Sequence, residues 1–450
     1  MAVGAVISGD FFGWNYGLKE GGFGGMMLAL LAITVMYVGL CSSLAEMSPA
    51  LPHAGGAYSF ARTSMGPCAG YITGLAENME YILTPAVIVV GIGGYLGAIF
   101  GTPAKWEPAW WLLCYGIFVA VNIWGVETSF RVTVQATVVA IGVLAVFWAG
   151  AAPHLDLRRW AWPLFPAGAH PARAAIGELP FALWVYLGIE QLPLAAEESH
   201  DPQHDMPRGI LYGLVTLVGI SFLTVVLSSG IAPGATEVAK SNEPLFLGFR
   251  TIFGAGMATR LLALAACTGL IASFHAIIFA YGRQIYSLSR AGYFPTWLSV
   301  THGTRQTPHR ALLTGAALGF GAALAIRVTP QGGTVGAVLL NMAVFGAVLA
   351  YLLQMASFVM LRLQFPQMER PYLSRAGIGG AVLTAAIAAV TLWTLFRNPD
   401  YNKGVIGAAI WFLLGIAYYA AYARHRLVLT PEEQAAIRYR QGQQVEQPWT

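Results

Sequence analysis

The 450-residue sequence predicts an all-α integral membrane protein with twelve transmembrane helices. The first observation is composition: 56% of residues are hydrophobic and 10% charged, against about 25% charged in an ordinary soluble domain. Mean hydropathy is +0.61, so lipid is the expected solvent. The second is recurrence. Apolar segments of about 20 residues, enough to cross a hydrocarbon core, follow one another along the whole chain. The third is that these segments lack the alternating pattern of barrel strands, which leaves the helix as the fold that satisfies its own amides in lipid.

In chain order the spans are expected at about 3–18, 24–49, 67–99, 109–126, 130–150, 174–198, 208–231, 257–288, 310–328, 334–362, 377–396 and 404–424. The first has no basic leader or small-residue cleavage site, and the pattern continues after it, so it reads as a span and not a signal peptide. An even number puts both termini on one side. Just over half of the 25 Lys and Arg residues fall there, Arg283, Arg290, Arg305 and Arg310 in one loop, which assigns that side to the cytoplasm. The stretch 151–173 is then a long outer loop, and residues 425–450 a polar, Gln-rich cytoplasmic tail expected to be mobile. Cys41, Cys68, Cys114 and Cys267 lie far apart in or beside apolar stretches without CxxC spacing. They are expected to be small buried hydrophobes, not disulfides or metal ligands, and no cofactor is implied.

Two spans are interrupted. The opening segment contains SGDFFGWNYG at 8–17, with three glycines and Asp10, and the sixth contains ALWVYLGIEQLPLAAEES at 182–199, with Gly188, Glu190 and Pro193. If the first ten spans form two five-helix halves, these positions are equivalent, and paired breaks at equivalent positions are the sequence mark of a midplane site in a carrier. Backbone groups freed by a break cost several kcal/mol each if lipid surrounds them, so they are expected to face a cavity or a substrate. Glycine alone is also a packing residue. The acids shift the balance, because a carboxylate at mid-helix costs roughly 2.5 to 3.5 kcal/mol on insertion scales and so faces a polar interior.

LAAEESHDPQHDMPRGI at 194–210 resembles the motif after the sixth helix of the amino acid, polyamine and organocation transporter superfamily. PHAGGAYSFARTSMGPCAGYITG at 52–74, WGVETSFRVTVQ at 124–135 and YGRQIYSLSRAGYFP at 281–295 resemble that family's entries to helices 3 and 5 and its exit from helix 8. The resemblance implies the LeuT-like fold: residues 1–150 as a first five-helix repeat, 151–362 as a second, inverted one, and 363–424 as two further helices. It also implies a substrate held between the breaks of helices 1 and 6. SGDFFGWN, with ENMEYILTPAVIVVGIGGYL at 77–96 and LIASFHAIIFAYGRQIYSLSRAGYFP at 270–295, is most similar to bacterial ethanolamine permeases. The implied activity is secondary active import of a small cationic amine across the inner membrane, with a proton or other ion as coupling partner. A general amino acid permease or exchanger and a choline or quaternary amine carrier are the alternatives.

The family's glycine-serine-glycine turn in helix 1 corresponds here to Ile7, Ser8 and Gly9, followed by Asp10. A second carboxylate there would repel an amino acid's own and attract an ammonium that brings none. The helix 5 position that holds a lysine in some proton-coupled relatives falls at Ala140. The substrate site is expected to comprise Ser8, Gly9, Asp10, Trp14, Glu80, Tyr81, Trp184, Gly188 and Glu190. The aromatic members would offer cation–π faces worth about 0.5 to 2 kcal/mol, and by resemblance Trp184 is the gate over the substrate. Glu77, one helical turn before Glu80, and His275 are candidates for coupling or gating, against the plainer alternative of structural hydrogen bonds. Glu46, Glu197 and Glu198 are expected to form gate or loop ion pairs with Arg62, Arg131 or Arg208. No nucleophile–base pair or metal cluster suggests an enzyme, nor does anything suggest a nucleic acid partner. His200 and His204 flank Asp201 in a loop and are expected at the surface.

Overall fold

The computed structural model describes residues 2–51, 55–328, 335–397, 402–429 and 434. Every regular element among them is helical. The first span is built from α1 (Ala2–Val6), α2 (Ser8–Phe11) and a 3-10 turn at Trp14–Gly17 that runs into α3 (Leu18–Ala50). Gly22, at φ 72° and ψ −176°, divides α3. Only glycine takes that geometry without strain, so the first span ends there and the second occupies 23–50.

The chain continues through α4 (Ala57–Met65), α5 (Pro67–Phe100), α6 (Glu107–Trp124), α7 (Val126–Ala151), α8 (Leu157–Trp160) and α9 (Pro171–Trp184). After a 3-10 segment at Ile189–Glu198 come α10 (Pro202–Ser229), α11 (Ala235–Val238), α12 (Pro244–Phe253), α13 (Met257–Arg290), α14 (His309–Arg327), α15 (Val335–Gln364), α16 (Gly377–Arg397) and α17 (Asn402–Ala421). Among the described residues, ten helices are long and apolar enough to cross a membrane. Two expected spans fall outside those ten. Residues 2–17 are too fragmented, and α6 spends part of its 18 residues on Glu107, Asn122 and tryptophans 110, 111 and 124. The tail expected beyond residue 429 lies outside the described residues, 434 excepted.

At the centre α5 packs along α15 on one side and α13 on the other, while α9 lies against α3. The first span meets the sixth along a run of glycines four residues apart. A side chain at Gly9 would stand 2.7 Å from the Trp184 carbonyl and the Val185 Cα, one at Gly17 2.9 Å from Phe181 Cβ, and one at Gly21 2.7 Å from the Ala174 carbonyl. Small residues at this spacing let two backbones approach closely, and dispersion then holds them together where no hydrophobic effect operates between helices.

Ion pairs fasten the ends of the helices near the chain's starting side, and those of Glu46 and Glu198 take partners other than the expected ones. Glu46 accepts from Arg362 Nε at 2.9 Å and Nη2 at 2.5 Å, pairs with Arg370 Nε at 3.2 Å and accepts the Ser374 amide at 2.8 Å. Glu198 pairs with Arg283. Arg62 donates to the Val428 carbonyl at 2.5 Å and lies over the Tyr293 ring, and Arg131 pairs with Glu127 one turn before it. Glu197's side chain lies outside the described residues. Cys41, Cys114 and Cys267 are buried as expected, but Cys68, at the solvent-facing start of α5, is exposed. His204 is exposed and bonded to Asp201, and no metal-ligating group occurs among the described residues.

Two predictions follow from this packing. Gly9→Ala should destabilise the protein by about 1 to 3 kcal/mol, since the added methyl meets backbone on the other helix, whereas Gly142→Ala, on an exposed face with nothing within 4 Å, should be neutral. Thermal unfolding in detergent measures both, and equal melting of the two variants would refute the close approach. Glu46→Ala should cost about 3 kcal/mol by stranding two guanidinium groups, against at most about 0.5 kcal/mol for Arg131→Ala at its exposed pair.

Candidate substrate site between two interrupted helices

The first span breaks at Phe12 (φ −165°, ψ 148°) and Gly13 (φ 100°, ψ −43°), not at Ser8 and Gly9, which remain helical. The two glycines answer different needs. Gly9 makes room for another backbone, whereas Gly13 supplies a positive φ and so sets the break. In the sixth span α9 stops at Trp184, and the chain turns through Val185 to Gly188 at φ 103° before the 3-10 segment begins. The two breaks touch: the space in front of Gly13 is filled by the Trp184 indole.

Backbone groups freed at the breaks were expected to face a cavity or substrate, yet protein side chains meet them. Trp184 Nε1 donates to the Phe12 carbonyl at 2.8 Å, so the expected gate aromatic caps the break. Tyr95 Oη donates to the Phe11 carbonyl at 3.0 Å. Ser273 Oγ accepts the Ser8 amide at 2.9 Å and donates to the Gly4 carbonyl at 2.9 Å. The Gly13 amide reaches Asn15 Oδ1 at 3.2 Å, and Asn15 Nδ2 in turn donates to the carbonyls of Val238 and Ser241. In the sixth span Glu190 Oε1 accepts the Gly188 amide at 2.9 Å.

Asp10, Glu77, Glu80 and Glu190 are each no more than 3% exposed. None has a basic partner among the described residues. The structure brings three of them together. Glu77 Oε2 accepts from Gln284 Nε2 at 2.6 Å, and Glu80 and Glu190 face each other across α5 and the 3-10 segment, with Tyr81 beside Glu77. Both Glu80 oxygens and Glu190 Oε2 lack a donor. Tyr37 and Tyr351, hydroxyl to hydroxyl at 2.9 Å, border the same cluster.

Asp10 stands apart from those three, turned toward the Ser221 hydroxyl of α10, and neither of its oxygens receives a hydrogen bond. Two rings link the two acidic regions. Tyr186, within electrostatic reach of Asp10, lies 5.3 Å from the Tyr37 ring, and Tyr37 in turn is within reach of Glu190 and Glu80. Trp14 is buried with its indole N–H unpartnered.

His275 sits in a clip of neutral hydrogen bonds. Asn122 Nδ2 donates to its Nδ1 at 2.9 Å, which leaves the ring proton on Nε2, 2.9 Å from Ser129 Oγ and 3.1 Å from the Ser129 carbonyl. Ala140 is buried in α7. Outside the spans, Glu243 at the start of α12 has its carboxyl pushed up by burial, with Arg250 pulling it back; the neighbouring Asn242 accepts from Tyr16 at 2.8 Å and so ties this outer segment to the first span.

Sequence reasoning missed Tyr37, Tyr351, Gln284, Ser273, Tyr95 and Ser221. Each is a hydrogen-bonding side chain in an apolar span, a signal too common to single them out. Glu178 was missed too, although it is a mid-helix acid like Asp10. It is fully buried in α9, with its carboxyl lodged 2.8 Å from where a Gly25 side chain would begin.

Comparison with known proteins identifies the family. The family described as Amino acid permease matches residues 1–427. An uncharacterized transporter of Rhizobium meliloti (strain 1021) is 28% identical over 70% of this chain and 68% of its own length. The branched-chain amino acid permease BcaP of Bacillus subtilis (strain 168) is 23% identical over 94% of this chain and 91% of its own. Cationic amino acid transporter 7, chloroplastic, of Arabidopsis thaliana is 24% identical over 62% and 52%. The chain therefore belongs to the amino acid permease family, and is a multi-pass membrane transporter of amino acids or related organic cations, not an enzyme.

Proposed function

We propose that this protein is a secondary active importer of a small cationic amine, with ethanolamine as the leading candidate. It would work by alternating access in a bacterial inner membrane, with both termini cytoplasmic and two inverted five-helix repeats around the interrupted helices. The observation that carries this is the set of four buried acids at the breaks without a basic partner. Buried carboxylates that lack a fixed cation favour a mobile one. The ammonium would sit between Asp10 and the Glu80–Glu190 pair, against the faces of Tyr186 and Tyr37. The amides that would receive an amino acid's carboxylate are already occupied, Ser8's by Ser273 and Gly13's by Asn15.

Cavities open on both faces and would serve as vestibules in the transport cycle. One of about 410 Å³ is lined by Ala2, Val3, Phe130, Leu192 and Glu198 on the side where the chain begins. The Glu198–Arg283 pair at its edge would serve as an inner gate. Another, of about 1030 Å³, lies on the opposite face beside Glu20, His170, Arg173 and Arg397. A second reading, transport of a cationic amino acid, is favoured by the relative of that name and by the same surplus of acids.

A thermal-shift panel of amino alcohols, quaternary amines and amino acids on the purified protein tests the proposal. A ligand at one hundred times its dissociation constant stabilises the folded state by about 2.7 kcal/mol. Ethanolamine should shift the melt, alanine should not, and Asp10→Asn should abolish the shift. Stabilisation by arginine or lysine with none by ethanolamine would replace the leading candidate with the second reading. An unchanged shift in Asp10→Asn would remove Asp10 from the site.

A further inference from the structure

We infer that Glu80 and Glu190 share one proton that the incoming ammonium displaces, which makes the carrier an electroneutral amine–proton exchanger whose import follows the amine's own gradient or an outward proton gradient. The inference rests on the proposed amine reading and adds its coupling. Glu80 and Glu190 are both buried, and each directs oxygens without a donor toward the other. Two facing carboxyls with no cation between them close their contact only through an O–H···O bond, so one oxygen carries a proton. Glu190 is also fixed by the Gly188 amide, which leaves Glu80 as the member free to give the proton up.

Among the described residues the surroundings contain no alternative source of positive charge. On α5 the neighbours are Glu77 and Tyr81; on α3, Tyr37 and Cys41; on α15, Tyr351. From α13 comes the neutral amide of Gln284, already bonded to Glu77, while Arg283 of the same helix is paired with Glu198. Charge balance then dictates the exchange. The pair holding one proton has a net charge of about −1, and so does the ionised pair holding one ammonium. In the step the O–H bond of one carboxyl breaks, the proton leaves to water, and the ammonium N–H groups donate to both carboxylates. The empty, fully ionised pair is the costly state in a low dielectric. The site therefore returns loaded with a proton, and no net charge crosses the membrane.

Two measurements test this. Ethanolamine added to detergent-purified protein in weakly buffered solution with a pH dye should release about one proton per amine bound, the amine counted by calorimetry on the same sample. Glu80→Gln should bind more weakly and release none, with its melting temperature showing that it folds. Binding without proton release would overturn the exchange and leave the amine reading intact. No binding of any amine would overturn both. In proteoliposomes an acid interior should raise ethanolamine uptake several-fold, and clamping the membrane potential with valinomycin and potassium should leave it unchanged. Stimulation by an acid exterior would mean symport and refute the proposal.

Discussion

Inside a hydrocarbon phase an opened helix has no water to finish its hydrogen bonds, and this constraint arranges the centre of the molecule. The first span opens at Phe12 and Gly13, and its loose ends are gathered from four directions: Trp184 from the sixth span, Tyr95 from α5, Ser273 from α13, and Asn15 anchored to the outer segment at Val238. Each of these side chains belongs to a different element. The break therefore works as a junction that ties the outer segment and three helices to one short stretch of chain.

The acids are the second half of the same arrangement. Charged groups in this setting are tolerated only when something answers them. Glu190 answers the Gly188 amide and Glu77 answers Gln284, so each acid serves the local structure with one oxygen. The remaining oxygens, Glu80's above all, are surplus to the structure. A surplus of this kind is what the proposed binding site would draw on, since a purely structural network satisfies its members.

Much of the fold was legible because its signals are local. A run of twenty apolar residues means a span wherever its neighbours go, and Asp10 and Glu190 announce themselves by being charged within such runs. What depends on distant partners was not legible. Glu46 could be assigned to an ion pair but not to Arg362, which lies 316 residues away, nor could Tyr37 be matched with Tyr351 at a separation of 314. Within the interrupted stretch 8–17 the exact point of the break was not legible for a related reason: Gly9 and Gly13 look alike in sequence, and only the position of Trp184 separates the one that packs from the one that bends. The expected open cavity at the freed backbone groups failed because serine, asparagine and glutamate side chains reached the amides, and tyrosine and tryptophan the carbonyls.

The glycine run between the first and sixth spans also bears on how the molecule moves. With backbone of the sixth span against Gly9 and Gly21, and its Trp184 and Phe181 side chains against Gly13 and Gly17, prying the two helices apart would forfeit a continuous line of dispersion contacts. Such a seam would cost more to part than to carry along, so the two helices are expected to travel as one in any rocking motion of the carrier.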